Sequence, residues 1–205
     1  ERLDQFASVV SHDLRSPLNV AQGRVDIERS TRDSDHLEIA ARSLDQMEDL
    51  IADVLTMARQ GHEIEGTELV SLDAIVEECW DAVRADGASV SVAAELGFKA
   101  DPGRTRHLFS NLFRNCVEHG GADVSVRVGA LDDRDGFYVE DDGPGIPAEE
   151  RDSVLEPGHT SSDDGTGLGL AIVEQIATAH GWNVAVDESD EGGARFEFGG
   201  LETVS

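Results

Sequence analysis

Lysine is almost missing from this sequence: Lys99 stands alone among 16 basic residues, the rest being arginine, against 43 Asp and Glu. The formal net charge is −27. A surface so poor in positive charge repels polyphosphate backbones and anionic membranes, which speaks against nucleic acid as a partner. Cysteine is scarce as well. Cys79 and Cys116 lack metal-ligand spacing and are too few for a disulfide framework, so they read as two reduced, partly buried thiols. No apolar run approaches the ~20 residues of a membrane-spanning helix, and no signal peptide is present. The expectation is a soluble, cytoplasmic piece of a longer protein, with membrane contact made only through segments absent from this chain.

What is present supports a folded protein. Hydrophobic residues make up 39% of the 205, enough for one large or two modest domains. Self-repulsion at this net charge is tolerable where salt screens it, with a Debye length of about 3 Å at 1 M. Composition alone therefore predicts a salt-loving source.

Two domains are expected, 1–62 and 63–205. Over 2–29 the apolar residues Leu3, Ala7, Val10, Leu14, Leu18, Ala21 and Val25 recur at helical spacing, with a bend predicted at Pro17. After the polar stretch 30–35 a second stripe runs through Leu37, Ala40, Leu44, Met47, Ile51, Val54 and Ala58, alternating steps of three and four as in a coiled-coil seam. Two such helices form a hairpin, and a second copy would cover its apolar face as a four-helix bundle. Near 61–66 this pattern dissolves. Ser71 then caps a predicted helix to about Val83, 89–93 alternates as a strand, and Asp101-Pro102 opens a helix carrying Leu108, Phe109, Leu112, Phe113 and Val117. Strands follow at 124–128 and 137–139, a helix over about 167–179, and closing strands at 183–186 and 194–198 around the turn 191–193. This mixture predicts a sheet with helices stacked on one face.

Four short motifs carry chemistry. In Ser11-His12-Asp13-Leu14-Arg15-Ser16-Pro17-Leu18, His12 is offset from the buried stripe and points to solvent, where a neutral imidazole is a competent nucleophile towards phosphorus. In Asn111-Leu112-Phe113-Arg114-Asn115 a spacing of four sets both amides on one helix face, opposite the buried Leu112 and Phe113. Amide oxygens are hard neutral ligands suited to Mg²⁺. Asp141-Asp142-Gly143-Pro144-Gly145 places a carboxylate at a strand end, able to accept from an exocyclic amine, beside glycines that admit a flat ring. Gly165-Thr166-Gly167-Leu168-Gly169-Leu170 leads into a helix whose N-terminus can hold polyphosphate. It is neither a dinucleotide fingerprint nor a Walker loop, since no lysine follows. Taken singly these read as an exposed histidine, helix-surface asparagines and turns. Taken together they supply the parts of one phosphoryl transfer.

On these motifs the chain resembles the transmitter core of two-component sensor histidine kinases. The segment 12–18 resembles the H box, 111–119 the N box, 141–145 the first glycine box and 165–169 the second. The resemblance implies an α+β multidomain fold: a dimerising, phosphoaccepting helical hairpin followed by an α/β sandwich ATPase domain of the Bergerat type. It further implies autophosphorylation of His12 from ATP·Mg²⁺ assisted by Asp13, then transfer to an aspartate of a response regulator receiver domain. Asn115 would ligate Mg²⁺ with Asn111 in support, and Asp141 would bind the adenine amine in a pocket shaped by Gly143 and Gly145. Gly165, Thr166, Gly167, Leu168 and Gly169 would line the phosphate side. Three departures stand out: Glu118 where the family carries Lys or Arg, Leu155-Glu156-Pro157 with a short lid after it, and Ser16 where bifunctional members carry threonine or asparagine. The alternatives are a catalytically silent ATP-binding dimerisation scaffold and a related serine kinase acting on a partner.

Overall fold

The computed structural model describes residues 17–32, 66–83, 87–121, 123–132, 134–158 and 167–204, with isolated positions between 34 and 51. The chain divides into two compact units, Glu1–Gly61 and His62–Ser205.

In the first unit, the described residues 17–29 are helical. Leu18 is buried, whereas Val20 and Ile27 are exposed. The helix ends where the Ser30 hydroxyl donates to the Ile27 carbonyl (2.7 Å) and that of Thr31 to Glu28 (3.0 Å). Such local side-chain bonds compete with continued helix. The predicted continuation before Pro17 lies outside the described residues. Described positions between 36 and 51 are also helical, with Ala41 buried and Ile39 and Met47 exposed.

The second unit opens with β1 (Glu68–Ser71), α1 (Leu72–Val83), β2 (Ser89–Val92) and β3 (Gly97–Ala100). It continues with α2 (Pro102–Gly120), β4 (Ser125–Ala130), β5 (Gly136–Asp141), α3 (Gly169–Ala179), β6 (Asn183–Glu188), β7 (Ala194–Gly199) and β8 (Thr203–Val204). Five strands form a sheet in the order β2-β4-β5-β7-β6; only β2 and β4 pair in parallel within it. A second sheet, β1-β3-β8, has no counterpart among the strands expected from the sequence pattern.

Aromatic rings join the layers. Phe137 of β5 stacks on Phe198 (4.8 Å), Phe109 of α2 (5.3 Å) and Phe98 of β3 (5.7 Å), so one ring bridges both sheets and a helix. Such pairs add to the area they bury. The other face of the large sheet is ionic. Across three strands Arg127, Glu140 and Arg195 stand in register, and both guanidiniums bind the Glu140 carboxylate, which is only 4% exposed. Burial works against a charged Arg195, but hydrogen bonds to Glu197 and Glu140 outweigh it and raise its pKa. Its guanidinium also lies 3.9 Å from the centroid of Tyr138. Cys79 and Cys116 are free and buried, as expected, and burial pushes the Cys79 thiol up to about 11.

Candidate functional site

The site is built on α2. Asp101 caps it, its carboxylate accepting from the Arg104 N–H at 3.0 Å, and Pro102 fills the first turn. One face then buries Leu108, Phe109, Leu112 and Phe113 completely. Asn111 and Asn115 both lie near Gly169 at the start of α3. A Cβ built on Gly169 would sit 3.1 Å from Asn111 Oδ1 and 3.8 Å from both polar atoms of the Asn115 amide. The expectation of asparagines opposite the buried face needs correction for Asn111. It is 5% exposed and donates to the His107 carbonyl at 2.9 Å, because the second helix covers it. The Asn115 Nδ2 is buried without a hydrogen-bond partner. An unmade bond at such a position costs about 1–3 kcal/mol, which a ligand acceptor would recover.

Helix α3 begins at Gly169, with Leu168 at the cap position and no side-chain cap bond. Its first N–H groups therefore add their partial positive charge beside the two amides, the arrangement that favours an anion. The predicted start at Gly167 is two residues early, for a physical reason: Gly167 has φ +64°, which a right-handed helix cannot contain. Its carbonyl instead accepts from the Gly158 N–H at 2.9 Å. A Cβ on Gly167 would fall 2.7 Å from the Gly158 carbonyl carbon. Gly165 and Thr166 lie outside the described residues, as do His12 and Asp13.

Asp141 ends β5, 9% exposed. Its Oδ1 accepts from the N–H of Gly143 (2.9 Å) and of Ala194 (3.1 Å). Burial first, then the Asp141 charge, hold the buried Cys116 thiol well above its ordinary pKa. These two main-chain donors orient a carboxylate that has about four acceptor positions. Small residues let the backbone close in. A Cβ on Gly143 would meet the Gly120 Cα at 2.7 Å, and one on Gly145, at φ +70°, the Gly192 carbonyl at 2.6 Å. Arg151 fixes the rim, donating to the Ile146 carbonyl (3.0 Å), Asp187 (3.0 Å) and Glu188 (2.8 Å).

The turn 191–193 is expected from the sequence, but sequence spacing gives no hint that it and Ser189 close on Asp141, 48 residues away for Ser189. A serine between acidic residues before Gly192-Gly193 resembles any polar turn. Glu118, the acidic departure, is exposed near the end of α2. Among the described residues no group of three or more His, Cys, Asp or Glu could hold a metal ion alone. The donors fit Mg²⁺ only in its usual manner, in which one or two oxygen ligands act with substrate phosphates. No helix among the described residues is long and apolar enough to cross a membrane.

Comparison with known proteins agrees with this geometry. Residues 100–203 match the family of histidine kinase-, DNA gyrase B- and HSP90-like ATPases, and residues 2–63 match the His Kinase A (phospho-acceptor) domain. Sensor histidine kinase ZraS of Klebsiella oxytoca is 28% identical over 96% of this chain and 45% of its own length. For GtrS of Pseudomonas aeruginosa the figures are 30%, 95% and 42%. The chain thus spans less than half the length of these relatives. Among solved structures, full-length ShkA in complex with AMPPNP superposes with a TM-score of 0.70 at 28% identity, over 98% of this chain and 46% of that one. Mycobacterial sensor histidine kinase MprB gives 0.58 at 25% identity, over 67% of this chain and all of the other.

Proposed function

Because the chain belongs to the histidine kinase-, DNA gyrase B- and HSP90-like ATPases and carries a His Kinase A domain ahead of that module, we propose that it autophosphorylates His12 from ATP. The phosphoryl group then passes to an aspartate of a response regulator receiver domain. The buried, unpartnered Nδ2 of Asn115, beside a start of α3 that has no side-chain cap bond, carries this reading most directly. A phosphate oxygen is the acceptor this donor and the helix start would share, and relatives of the same architecture include one solved with AMPPNP.

Each residue has a role in this reading. Asp141 accepts from the exocyclic amine of adenine, with Gly143 and Gly145 holding the pocket open to the ring. Gly165, Thr166, Gly167, Leu168 and Gly169 supply main-chain N–H groups to the phosphates. Asn115, supported by Asn111, would hold Mg²⁺, which neutralises charge on the transferring phosphates when bound. His12 attacks the γ-phosphorus in line: an N–P bond forms, the P–O bond to ADP breaks, and Asp13 steadies the imidazolium. Positioning and charge neutralisation supply most of the rate. The hairpin domain 1–62 pairs with a second copy as a four-helix bundle, which the exposed Val20, Ile27, Ile39 and Met47 support. The catalytic domain is 63–205. The chain works in a cytoplasm, and its charge balance fits a salt-loving one.

Labelling with γ-labelled ATP tests the proposal. The expected label is acid-labile and base-stable, as phosphohistidine is, and absent from His12→Gln, which still binds ATP. Acid-stable label would identify a serine kinase. No label on a chain that binds ATP would identify a silent scaffold.

A further inference from the structure

We propose that Ser189 is a positioning residue for nucleotide recognition, setting the orientation in which Asp141 reads the base. The inference rests on the adenine-reading role of Asp141 proposed above and deepens it.

The pairing of β5 with β7 runs from Gly136↔Gly199 to Glu140↔Arg195 and stops there. One residue further, the main chain of β5 would leave the buried Asp141 carbonyl to find another partner, and buried carbonyls are seldom left without one. The Ser189 hydroxyl supplies it, donating to that carbonyl at 2.8 Å. The same oxygen accepts from the Gly193 N–H at 2.9 Å. A hydroxyl has one hydrogen, so these two bonds fix its direction: it gives to β5 and receives from the turn.

The turn is closed around this serine. The Ser189 N–H donates to the Gly193 carbonyl (2.9 Å), and the Gly192 N–H to the Ser189 carbonyl (3.0 Å). Gly193 is pressed so closely on β5 that a Cβ there would lie 2.0 Å from the Asp141 carbonyl oxygen. The next residue, Ala194, is thereby brought to aim its N–H at Asp141 Oδ1. Ser189 is itself 5% exposed, so no water competes for its bonds. It touches no ligand. It acts by holding both the main chain of Asp141 and the turn that donates to the carboxylate.

The consequence concerns the base and not the phosphates, which would lie towards Asn115 and α3. A carboxylate accepts only, so it selects a base with an amine donor at that edge and rejects one with a carbonyl. Loss of the Ser189 hydroxyl frees the turn and lets the carboxylate swing, weakening base recognition alone.

Titration of the full 205-residue chain with ATP and with inorganic tripolyphosphate, a probe without a base, tests this. Ser189→Ala is expected to weaken ATP binding about tenfold, the worth of one hydrogen bond, with tripolyphosphate binding unchanged. Ser189→Cys keeps the shape and loses most of the acceptor strength, so it is expected to follow Ser189→Ala. Equal loss of both probes, unchanged ATP binding, or a Ser189→Cys variant that binds like the parent would each overturn the proposal. Failure of the underlying reading looks different: the parent chain would bind ATP no better than tripolyphosphate, or Asp141→Asn would bind ATP as well as the parent.

Discussion

A buried amide nitrogen without a partner makes Asn115 a residue whose removal should move stability and binding in opposite directions. In the folded chain its Nδ2 has left water and gained nothing in return, a deficit of about 1–3 kcal/mol. Replacing Asn115 by alanine deletes the unsatisfied group, so the melting temperature is expected to stay level or rise. Binding of ATP in the presence of Mg²⁺ is expected to fall roughly 10–100-fold, the worth of a hydrogen bond to a charged acceptor. Calorimetric melting and nucleotide titration on the same preparation check both halves, and undiminished Mg²⁺-dependent binding would remove Asn115 from the site. Asn111 lacks this signature. Its Nδ2 already donates to the His107 carbonyl, so alanine there should cost stability as well as binding.

At the scale of elements, two helices are locked end to end by one imidazole. His180, just past the C-terminus of α3, accepts the Asp101 N–H on Nε2 at 3.0 Å, at the cap of α2. Its Nδ1 lies 2.8 Å from the Ile176 carbonyl, so the neutral ring carries its hydrogen on Nδ1. The ring also stacks on Trp182 at 4.3 Å. Burial lowers the His180 pKa, although the Ile176 bond and Asp101 pull it up and Arg104 pulls it down again. Between the folded and the unfolded pKa values the unfolded chain binds more protons, so stability rises with pH there. The contribution is complete above the unfolded value of about 6.5 and is lost as pH falls through the folded one. His180→Phe keeps the stacking and removes the acceptor. It is expected to melt lower than the parent near pH 8, with the gap narrowing towards pH 5; a gap independent of pH would contradict this account.

The same elements show what a sequence can and cannot disclose. Helix α2 was readable because its information is local: a capping Asp101, Pro102 behind it, then an apolar face at helical spacing. The sheet β1-β3-β8 was not, since its strands are four, four and two residues long and pair across the chain. In Glu68–Ser71 no alternation of useful length exists. Asp141 and the asparagine pair could be proposed in advance as site residues because their motifs lie in adjacent residues. Ser189 could not, because its role is created by a turn folding back onto a distant strand.

For the whole molecule the controlling quantity is charge. Most arginines of the sheet face and rim are already engaged: Arg127 and Arg195 on Glu140, Arg134 on Glu197, Arg151 on Asp187 and Glu188. Against 43 carboxylates the 16 basic residues leave the net at −27, and this excess repels itself across the folded surface. Salt acts on the two contributions in opposite senses. It weakens exposed ion pairs, each worth about 0–1 kcal/mol, and it screens the repulsion as the Debye length contracts from about 10 Å at 0.1 M to about 3 Å at 1 M. The pairs are held at contact distance, where screening is least effective, whereas the repulsion is summed over separations comparable with the Debye length. Screening of repulsion should therefore win. The melting temperature is expected to rise by several degrees from 0.1 M to about 1 M KCl, and equally in NaCl if screening is the cause. A rise confined to KCl would point to bound potassium instead. A flat or falling curve would mean that the carboxylates are spaced widely enough not to interact, and the salt-loving reading of this composition would fall with it.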